Sequence, residues 1–390
     1  MNRKELAKFL YDNKVYDSYQ FFENTRKALT TALFCNEVII SIITKMETEN
    51  TDCQKRLFEK LMNQSDRVKK ISVNNSDLPK FELSICDVEI SAPFLLDKLV
   101  KDFFQYLRNA FDCMSQAVNA SCLANNGKSV EQVDFSKMKK TLNEQPYSSD
   151  FPSITDWYNS IDNCDEFKYI QDFNNRTKHI CDVYIKMSMA IVGEDETSIS
   201  PFYKKNTQHN KQDVKNYLTS IYDFVSDAYS KFMNAIKPEI VKQKYVENRY
   251  QTLTVYQQKF KNEEGFSMPY IETCLEAEKL PDTIYVLFVK ETDDRIIAKN
   301  CPMNKIFFKK IGTENEYLGK YFSNELCGDD TLYQYRSYKK ENTNLASMPL
   351  AFNAMMDEEC KNHFYHQNAF IDIVTVSDDD EFLGRVSLPF

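Results

Sequence analysis

The chain has 390 residues, more than a single hydrophobic core usually organises, and 42% of them are hydrophobic, so we expect two folded domains and no global disorder. The net charge of -9 weighs against a general nucleic-acid coat protein, because phosphate binding requires a basic face. Seven glycines are too few for many tight turns or glycine-rich loops, which favours long helices.

The first predicted elements are helices. Lys4–Met46 has the apolar rhythm of one or two helices, and a polar break at Glu47–Asp52 leads into a second helix that begins at Cys53. This second helix ends near Ile71, before a polar loop. Phe81–Ser91 fits a short strand and fits an extended connector equally well.

A strong helix begins at Pro93, because proline is favoured in the first turn of a helix. Its stop signal is Asn125-Asn126-Gly127. On its polar face Arg108 and Asp112 stand four residues apart, so they can pair. Shorter helices are predicted at Phe135–Leu142 and from Phe151-Pro152-Ser153 through Ile161, with Ser153 as a candidate N-cap.

The next predicted helix, Asp165–Gly193, contains the densest polar run of the sequence. Its apolar stripe follows helical spacing, and Gly193 is a natural stop signal. The stripe consists of Phe173, Ile180, Tyr184, Met187 and Ile191. A polar face is predicted from Asn175, His179, Asp182 and Lys186. Arg176 would lie beside the stripe, where a buried charge needs a partner such as Asp112.

After an irregular loop at Ile199–Asn210, a long helix begins near Asp213. Its apolar residues alternate by four and three, which predicts a seam that packs along another helix. They are Val214, Leu218, Ile221, Val225, Ala228, Phe232 and Ile236. Pro238 is expected to kink or break this helix, and the helical pattern resumes from Val241 through Tyr245 to Phe260.

The pattern then changes to strands rich in β-branched and aromatic residues. The predicted strands are Thr283–Lys290, Lys305–Lys309, Tyr317–Phe322, Thr331–Tyr338, Ala369–Val376 and Phe382–Val386, with a helix at Leu350–His366. Charge and glycine at Lys261–Gly265 indicate a domain boundary. The predicted fold is therefore mainly α: a helical bundle at 1–262, followed by a smaller α+β, β-rich domain at 266–390.

The candidate site is the run Asn174-Asn175-Arg176-Thr177-Lys178-His179. Cleavage of RNA through its 2′-hydroxyl needs a base that titrates near neutral pH, a role for His179. It also needs a cation at the phosphorane, a role for Arg176 or Lys178. In the structural alternative, Asn175 and His179 hydrogen-bond a neighbouring element, and Arg176 pairs with Asp112 or Asp165.

Leu107–Val118 (LRNAFDCMSQAV), Phe151–Ser153 (FPS) and Asn174–His179 (NNRTKH) together resemble bacterial HEPN-like helical proteins, over about residues 91–235. The resemblance implies an Asn-x-x-Lys-His element, here Asn175, Lys178 and His179, supported by Arg108 and Asp112 of an earlier helix. Members that cut RNA carry an Arg and a His separated by four to six residues, whereas only two residues separate Arg176 from His179. The resemblance also implies toxin or phage-defence systems and pairing of two copies.

Two further clusters of polar residues are candidate metal sites. His363 and His366 stand at metal-sharing helical spacing, but no third ligand is evident, so packing is the better interpretation. Ser377–Phe382 (SDDDEF) is better explained as a charged hairpin turn than as a cation site. The sequence contains no phosphate-binding glycine loop, no dinucleotide-binding motif and no G-x-S-x-G element. We therefore predict no cofactor and no bound metal.

The cysteines indicate the cellular compartment of the protein. Eleven are scattered without a C-x-x-C pair, which is typical of reduced thiols in a cytoplasmic protein. The N-terminal residues lack a signal-peptide core, and the longest apolar run, Val38–Ile43, is too short to span a bilayer. The sequence thus predicts a cytoplasmic location and no membrane association.

Two functions remain open at this point. In the first, the protein is a metal-independent ribonuclease that acts on RNA with His179 in an open, positively lined cleft. In the second, it is a non-catalytic protein that binds a protein partner or a second copy through the seam Val214–Ile236 and its C-terminal module. This second function would bury His179 and expose an apolar patch, for instance at Phe364-Tyr365 or Leu388-Pro389-Phe390.

Overall fold

The protein is mainly α, with a smaller β-rich C-terminal part, as the sequence predicts. The computed structural model describes residues 2–15, 18–63, 73–74, 77–128, 132–190, 193–204, 206–246, 250–259, 267–273, 276–280, 282–292, 295–300, 305–313, 316–322, 336–341 and 380–389. Two compact units are formed: a helical unit, Glu23–Met114 and Lys139–Lys237, and a mixed unit, Met1–Phe22, Ser115–Met138 and Pro238–Phe390. The predicted boundary at Lys261–Gly265 lies outside the described residues.

The described residues form eight α-helices. They are α1 (Arg3–Asp12), α2 (Tyr19–Met62), α3 (Ala92–Val118), α4 (Phe135–Leu142), α5 (Tyr147–Asp150), α6 (Pro152–Asn163), α7 (Asp165–His179) and α8 (Val214–Val241). The predictions for α3, α4 and α6 are confirmed, although Phe151 and not Ser153 occupies the N-cap position of α6.

Three predictions of helix limits are wrong. The polar segment Glu47–Asp52 does not interrupt α2, because buried Asn50 continues its inner face and donates to the carbonyl of Ala190 over 2.9 Å. Pro238 does not end α8, which continues to Val241, about one turn further; the missing N–H removes a single intrahelical hydrogen bond. Residues 250–259 form a strand and no helix, consistent with the alternating Thr252, Thr254 and Tyr256.

The core of the helical unit contains the predicted seam of α8. All seven seam residues from Val214 to Ile236 are buried. Helices α8 and α2 pack antiparallel: Thr219 contacts Asn36, and Lys215 pairs with Glu47. The seam is therefore internal packing between helices, and it is not available to a partner.

Two groups of short strands complete the helical unit. The first is a hairpin, β1 (Glu82–Ile85) and β2 (Val88–Ser91), where the sequence left a strand or a connector open. Its turn residues Cys86 and Asp87 have φ of 50° and 64°, as a tight hairpin turn requires. The second group is β3 (Ile185–Ser188), β4 (Glu196–Ile199), β5 (Phe202–Lys204), β6 (Thr207–His209) and β7 (Gln212–Asp213).

The mixed unit contains one large sheet. Its strands are β8 (Tyr250–Lys259), β9 (Ser267–Thr273), β10 (Thr283–Thr292), β11 (Arg295–Asn300), β12 (Lys305–Lys310), β13 (Tyr317–Phe322), β14 (Arg336–Lys340) and β15 (Asp380–Pro389). They follow the order β11-β10-β14-β13-β12-β9-β8-β15, and β15 also pairs with β10. Seven strands therefore close into a ring, and β11 extends from β10. The pair β9–β12 is parallel and the other pairs are antiparallel.

Most of the C-terminal strand predictions that can be compared are confirmed: β10, β12, β13 and β15 lie where the sequence places them. The sequence missed β9 and β11, and β14 is described only from Arg336. The predicted strand Ala369–Val376 and the predicted helix Leu350–His366 lie outside the described residues.

One helix of the described chain, α2, is long and apolar enough to cross a membrane by length and composition. Of its apolar window, 44% is buried inside the protein. Ile39 and Ile43 are among the buried residues, on the helix that also contacts α8. A core helix passes the same test of length and composition, and α2 has the contacts of one.

Trp157 joins three helices of the helical unit and offers the first test of this core. Its indole Nε1 donates to the carbonyl of Ala228 on α8 over 3.1 Å, and its ring lies 5.0 Å from Phe232 and 6.4 Å from Phe111. We expect Trp157→Ala to lower the free energy of unfolding by about 3–5 kcal/mol, because it leaves a large cavity. Urea unfolding followed by circular dichroism measures this.

The control is Phe58→Ala, since Phe58 lies on α2 with 61% of its surface exposed. Its effect should stay within about 0.5 kcal/mol. Equal losses for the two variants would contradict the placement of Trp157 in the core.

Candidate functional site

The polar run lies at the end of α7, and α7 is shorter than predicted. Acidic Asp165 and Glu166 stand in its first turn and Arg176, Lys178 and His179 in its last turn, an arrangement that complements the helix dipole. The backbone N–H groups of Ile180 and Cys181 both bond to the carbonyl of Arg176, and the helix ends there. The prediction of a helix through Gly193 is therefore wrong.

The residues that follow α7 form a strand because they pair with β4. Ile185 faces Ile199 and Met187 faces Thr197 in an antiparallel ladder. The supposed apolar stripe is split accordingly: Phe173 is buried, whereas Ile180 and Tyr184 are exposed. The predicted polar face is split as well, because Asp182 pairs with Lys101 over 3.0 Å and Lys186 pairs with Glu196 over 3.6 Å.

Helix α7 packs antiparallel to α3 through aromatic side chains. Near the start of α7, Phe167 meets Phe111 at 4.8 Å between ring centroids. Six residues later Phe173 meets Phe104 at 4.2 Å. Next to it, the buried Asn174 donates its Nδ2 to the carbonyl of Phe104 over 2.9 Å. The order of these contacts fixes which part of α7 each residue of α3 can reach.

The predicted pair of Arg108 and Asp112 exists, with 3.1 Å between its charged atoms. Arg108 also lies over the ring of Phe167, 5.8 Å from its centroid. The pair therefore belongs to the first turn of α7, whereas His179 follows Phe167 by twelve residues. At 1.5 Å of rise per residue, this separates the pair from His179 by about 18 Å.

The other predicted site residues diverge in their surroundings. Arg176 is half-buried and donates Nη1 to the carbonyl of Tyr203, so its partner is neither Asp112 nor Asp165. Asn175 is half-buried, and Lys178 and His179 are exposed. Within the described part of the chain, no group forms a hydrogen bond or an ion pair with the imidazole of His179. The residues of Asn175–His179 thus lie at the same helix end without forming one site.

The strands β5 and β6 form a hairpin over α7, where the sequence predicts an irregular loop. Phe202 lies 5.3 Å from Tyr169 and 5.9 Å from Phe173, measured between ring centroids. His209 stacks on Phe202 at 4.6 Å and bonds through Nε2 to Asp172 over 2.9 Å. This buried histidine–carboxylate pair was missed, because three-residue strands leave almost no periodic signal.

Tyr169 lies beneath this hairpin, and the ring of Tyr217 on α8 lies 4.8 Å from it, measured between centroids. Burial raises the pKa of each phenol above its ordinary value, so both stay protonated at neutral pH. The hydroxyl of Tyr169 and the Nε of Arg176 are buried without an acceptor or donor among the described residues. On α7, residues 169, 172, 173 and 176 form one face, which the hairpin covers.

An exposed apolar surface adjoins the end of α7. Ile180, Tyr184 and Tyr203 are 60%, 69% and 57% exposed. Backbone bonds hold them close: Arg176 binds the backbone of both Ile180 and Tyr203, and the carbonyl of Tyr184 accepts from Ser200 over 2.9 Å. We call Ile180, Tyr184 and Tyr203 the α7-end surface.

The remaining sequence candidates are only partly described. His363, His366 and residues 377–379 lie outside the described residues, and Asp380–Phe382 begin β15. Where the structure does describe the chain, no group of three or more His, Cys, Asp or Glu residues is placed to hold a metal ion.

Comparison with known proteins gives one match. A family model described as a domain of unknown function (DUF8310) matches residues 250–377, one third of the chain. No curated protein matches, and no solved structure matches. The match covers strands of the mixed unit and excludes α7 and its hairpin, so it carries no information about the candidate site.

Glu196 of β4 gives the site a measurable ionisation. A hydrogen bond from Lys211, reinforced by one from Ser198, lowers the pKa of Glu196 to about 2. Because the folded value lies below the ordinary one, the stabilisation is present above pH 4.5 and is lost as the pH falls towards 2. We expect carbon-13 NMR to place the midpoint of Glu196 near pH 2.

Two lysine variants separate the causes. Lys211→Gln should raise this midpoint towards 4.5, because it removes the direct hydrogen bond. Lys186→Gln should raise it less, because Lys186 acts from 3.6 Å without that bond. The reverse order would contradict the assigned cause.

Proposed function

We propose that this protein acts by binding another protein through the α7-end surface, and that His179 does not catalyse RNA cleavage. The partner segment that fits is apolar with flanking carboxylates. The supporting observation is that three exposed apolar side chains lie on backbone segments bonded to one another, beside the exposed cation Lys178. We place this activity in the cytoplasm.

The surroundings of His179 argue against catalysis. A general base works from a fixed position, usually held by a second hydrogen bond. No such bond to His179 exists among the described residues, and Arg108 and Asp112 lie about 18 Å along α7 from it. Arg176 is already bound to the hairpin backbone. The end of α7 is also the carbonyl end of a helix, which disfavours a phosphate group.

The cations at this end have a structural reason that requires no substrate. Lys178 in the last turn stabilises α7 through the helix dipole. It also leaves positive charge beside the apolar surface, as does half-buried Lys204, for which the described residues provide no carboxylate. In a chain of net charge -9 this local excess favours an acidic partner segment over another part of the same surface.

The apolar side chains supply the affinity in this proposal. Single exposed apolar residues are ordinary on protein surfaces, but a group of them marks a contact site. Tyrosine is enriched among the residues that dominate binding energy, and two of the three members are tyrosines. The seam of α8 is excluded from this role because it is buried.

A role in bacterial toxin or phage-defence systems is the part of the proposal that rests on resemblance. Leu107–Val118 and Asn174–His179 are similar to HEPN-like elements, and members of that group with altered motifs serve as binding modules. The helical unit would then retain the fold and use its former site region for contacts.

The catalytic alternative is tested with purified protein, EDTA, total RNA and tRNA. We expect no cleavage by the wild type or by His179→Ala, because none of the described residues holds the imidazole of His179 in position. Cleavage that disappears in His179→Ala would overturn the proposal and establish a metal-independent ribonuclease.

Binding is tested by photo-crosslinking in the native cells, with benzoylphenylalanine in place of Tyr184. We expect a protein adduct of defined mass, and weaker adduct formation when Lys178→Glu is added, because the reversed charge repels an acidic segment. The matched control is the same probe in place of Phe58, which is 61% exposed on α2.

Each other outcome has a distinct meaning. An adduct at Phe58 of equal yield, or an adduct that ribonuclease removes, would contradict the proposed surface. An adduct that contains only this chain would assign the surface to a second copy and overturn the acidic-partner assignment.

A further inference from the structure

The β5–β6 hairpin is attached to the protein by a fixed base. Its two strands continue β4 and β7, which pair through Ser198 with Asp213 and Ile199 with Gln212. Short connections, Ser200-Pro201 and Asn210-Lys211, separate this base from the hairpin. At the base, Ser200 is held by the carbonyl of Tyr184, and Lys211 by Glu196. A movement of the hairpin would therefore bend the ribbon at these two connections.

Few polar contacts hold the hairpin down on α7. His209 bonds to Asp172 over 2.9 Å, and the carbonyl of Tyr203 accepts from Arg176. Phe202 contributes the apolar contact, packed against Tyr169 and Phe173. A hairpin with three residues in each strand has little stability of its own, so its order depends on these contacts.

Docking also has a cost, because two polar atoms are buried beneath the hairpin. The Tyr169 hydroxyl and the Arg176 Nε have no hydrogen-bond partner among the described residues. Tyr169 is 3% exposed, so its hydroxyl is shielded from water while the hairpin is docked. Lifting of the hairpin would let water reach both groups, which would remove the desolvation penalty. The contacts of His209, Tyr203 and Phe202 thus stabilise the docked position, whereas the two buried polar atoms destabilise it.

We propose that the β5–β6 hairpin is a strap that alternates between a docked and a lifted position, and that docking completes the α7-end surface. Tyr203 is carried by the hairpin, whereas Ile180 and Tyr184 are carried by the segment after α7. Lifting removes one of the two tyrosines from the surface and exposes Asp172. The movement itself is independent of the proposed function, and only its control over partner binding rests on that function.

Hydrogen exchange of the full chain tests the strap, with the amides of residues 199–211 as the readout. Tyr169→Phe removes the shielded hydroxyl and keeps the ring, so we expect exchange in the hairpin to slow by about fivefold. Asp172→Asn weakens the bond to His209, so we expect exchange there to become about fivefold faster. The amides of α8 serve as the internal control and should exchange equally in all three proteins.

Unchanged or faster exchange in Tyr169→Phe would overturn the proposal. If Asp172→Asn also speeds exchange in α8, that variant unfolds the helical unit globally. The same exchange measurement on His209→Gln then tests the strap in its place. Faster exchange of His209→Gln confined to residues 199–211 supports the strap, and unchanged exchange overturns it. The exchange measurement uses no partner, so its result stays valid if the crosslinking test fails. If the exchange measurement fails instead, the α7-end surface still stands as a permanent binding surface without a moving strap.

Discussion

The antiparallel packing of α7 on α3 fixes the position of every polar group in the candidate site. Phe111 contacts Phe167 near one end, Phe104 contacts Phe173 further along, and the amide of Asn174 is bonded to the backbone of α3. A shift of α7 by even one turn would break this buried hydrogen bond and misplace two aromatic pairs. The residues at the end of α7 therefore cannot approach Arg108 and Asp112, whatever their sequence suggests.

The same packing leaves an adjoining face of α7 to the hairpin, and Tyr169 and Phe173 contact both α3 and Phe202. Tyr169, Asp172, Phe173 and Arg176 recur at three and four residues, so one short ribbon covers them together. This explains why Arg176, which looks catalytic in the sequence, binds a backbone carbonyl. It also explains why the buried histidine of the site is His209 and not His179. The chemistry that remains exposed at this end is apolar and cationic.

The mixed unit is organised around one large sheet. A sheet that closes through β15 leaves few free edges, which protects it against pairing with other chains. The match to a domain of unknown function covers β8 to β14 of this sheet but not β15, whereas the candidate site lies wholly in the helical unit. Any activity of that family and the binding proposed for α7 therefore concern separate parts of the chain.

The sequence by itself determined the elements whose signal is long. Amphipathic periods placed α3, α4 and the seam of α8, and β-rich runs placed β10, β12 and β13, because burial of one face dictates residue spacing. The pairing of Arg108 with Asp112 was equally readable, since it depends only on helical spacing.

Tertiary structure alone decided the rest. Residues after His179 follow helical spacing as well as strand spacing, and pairing with β4 selected the strand. The polar segment of α2 stayed helical because Asn50 found partners 140 and 145 residues away. The bond of His209 to Asp172 joins residues 37 positions apart across strands of three residues, too short for any local pattern to reveal. Local spacing records which face of an element is buried, whereas partners that are distant in sequence decide what covers it.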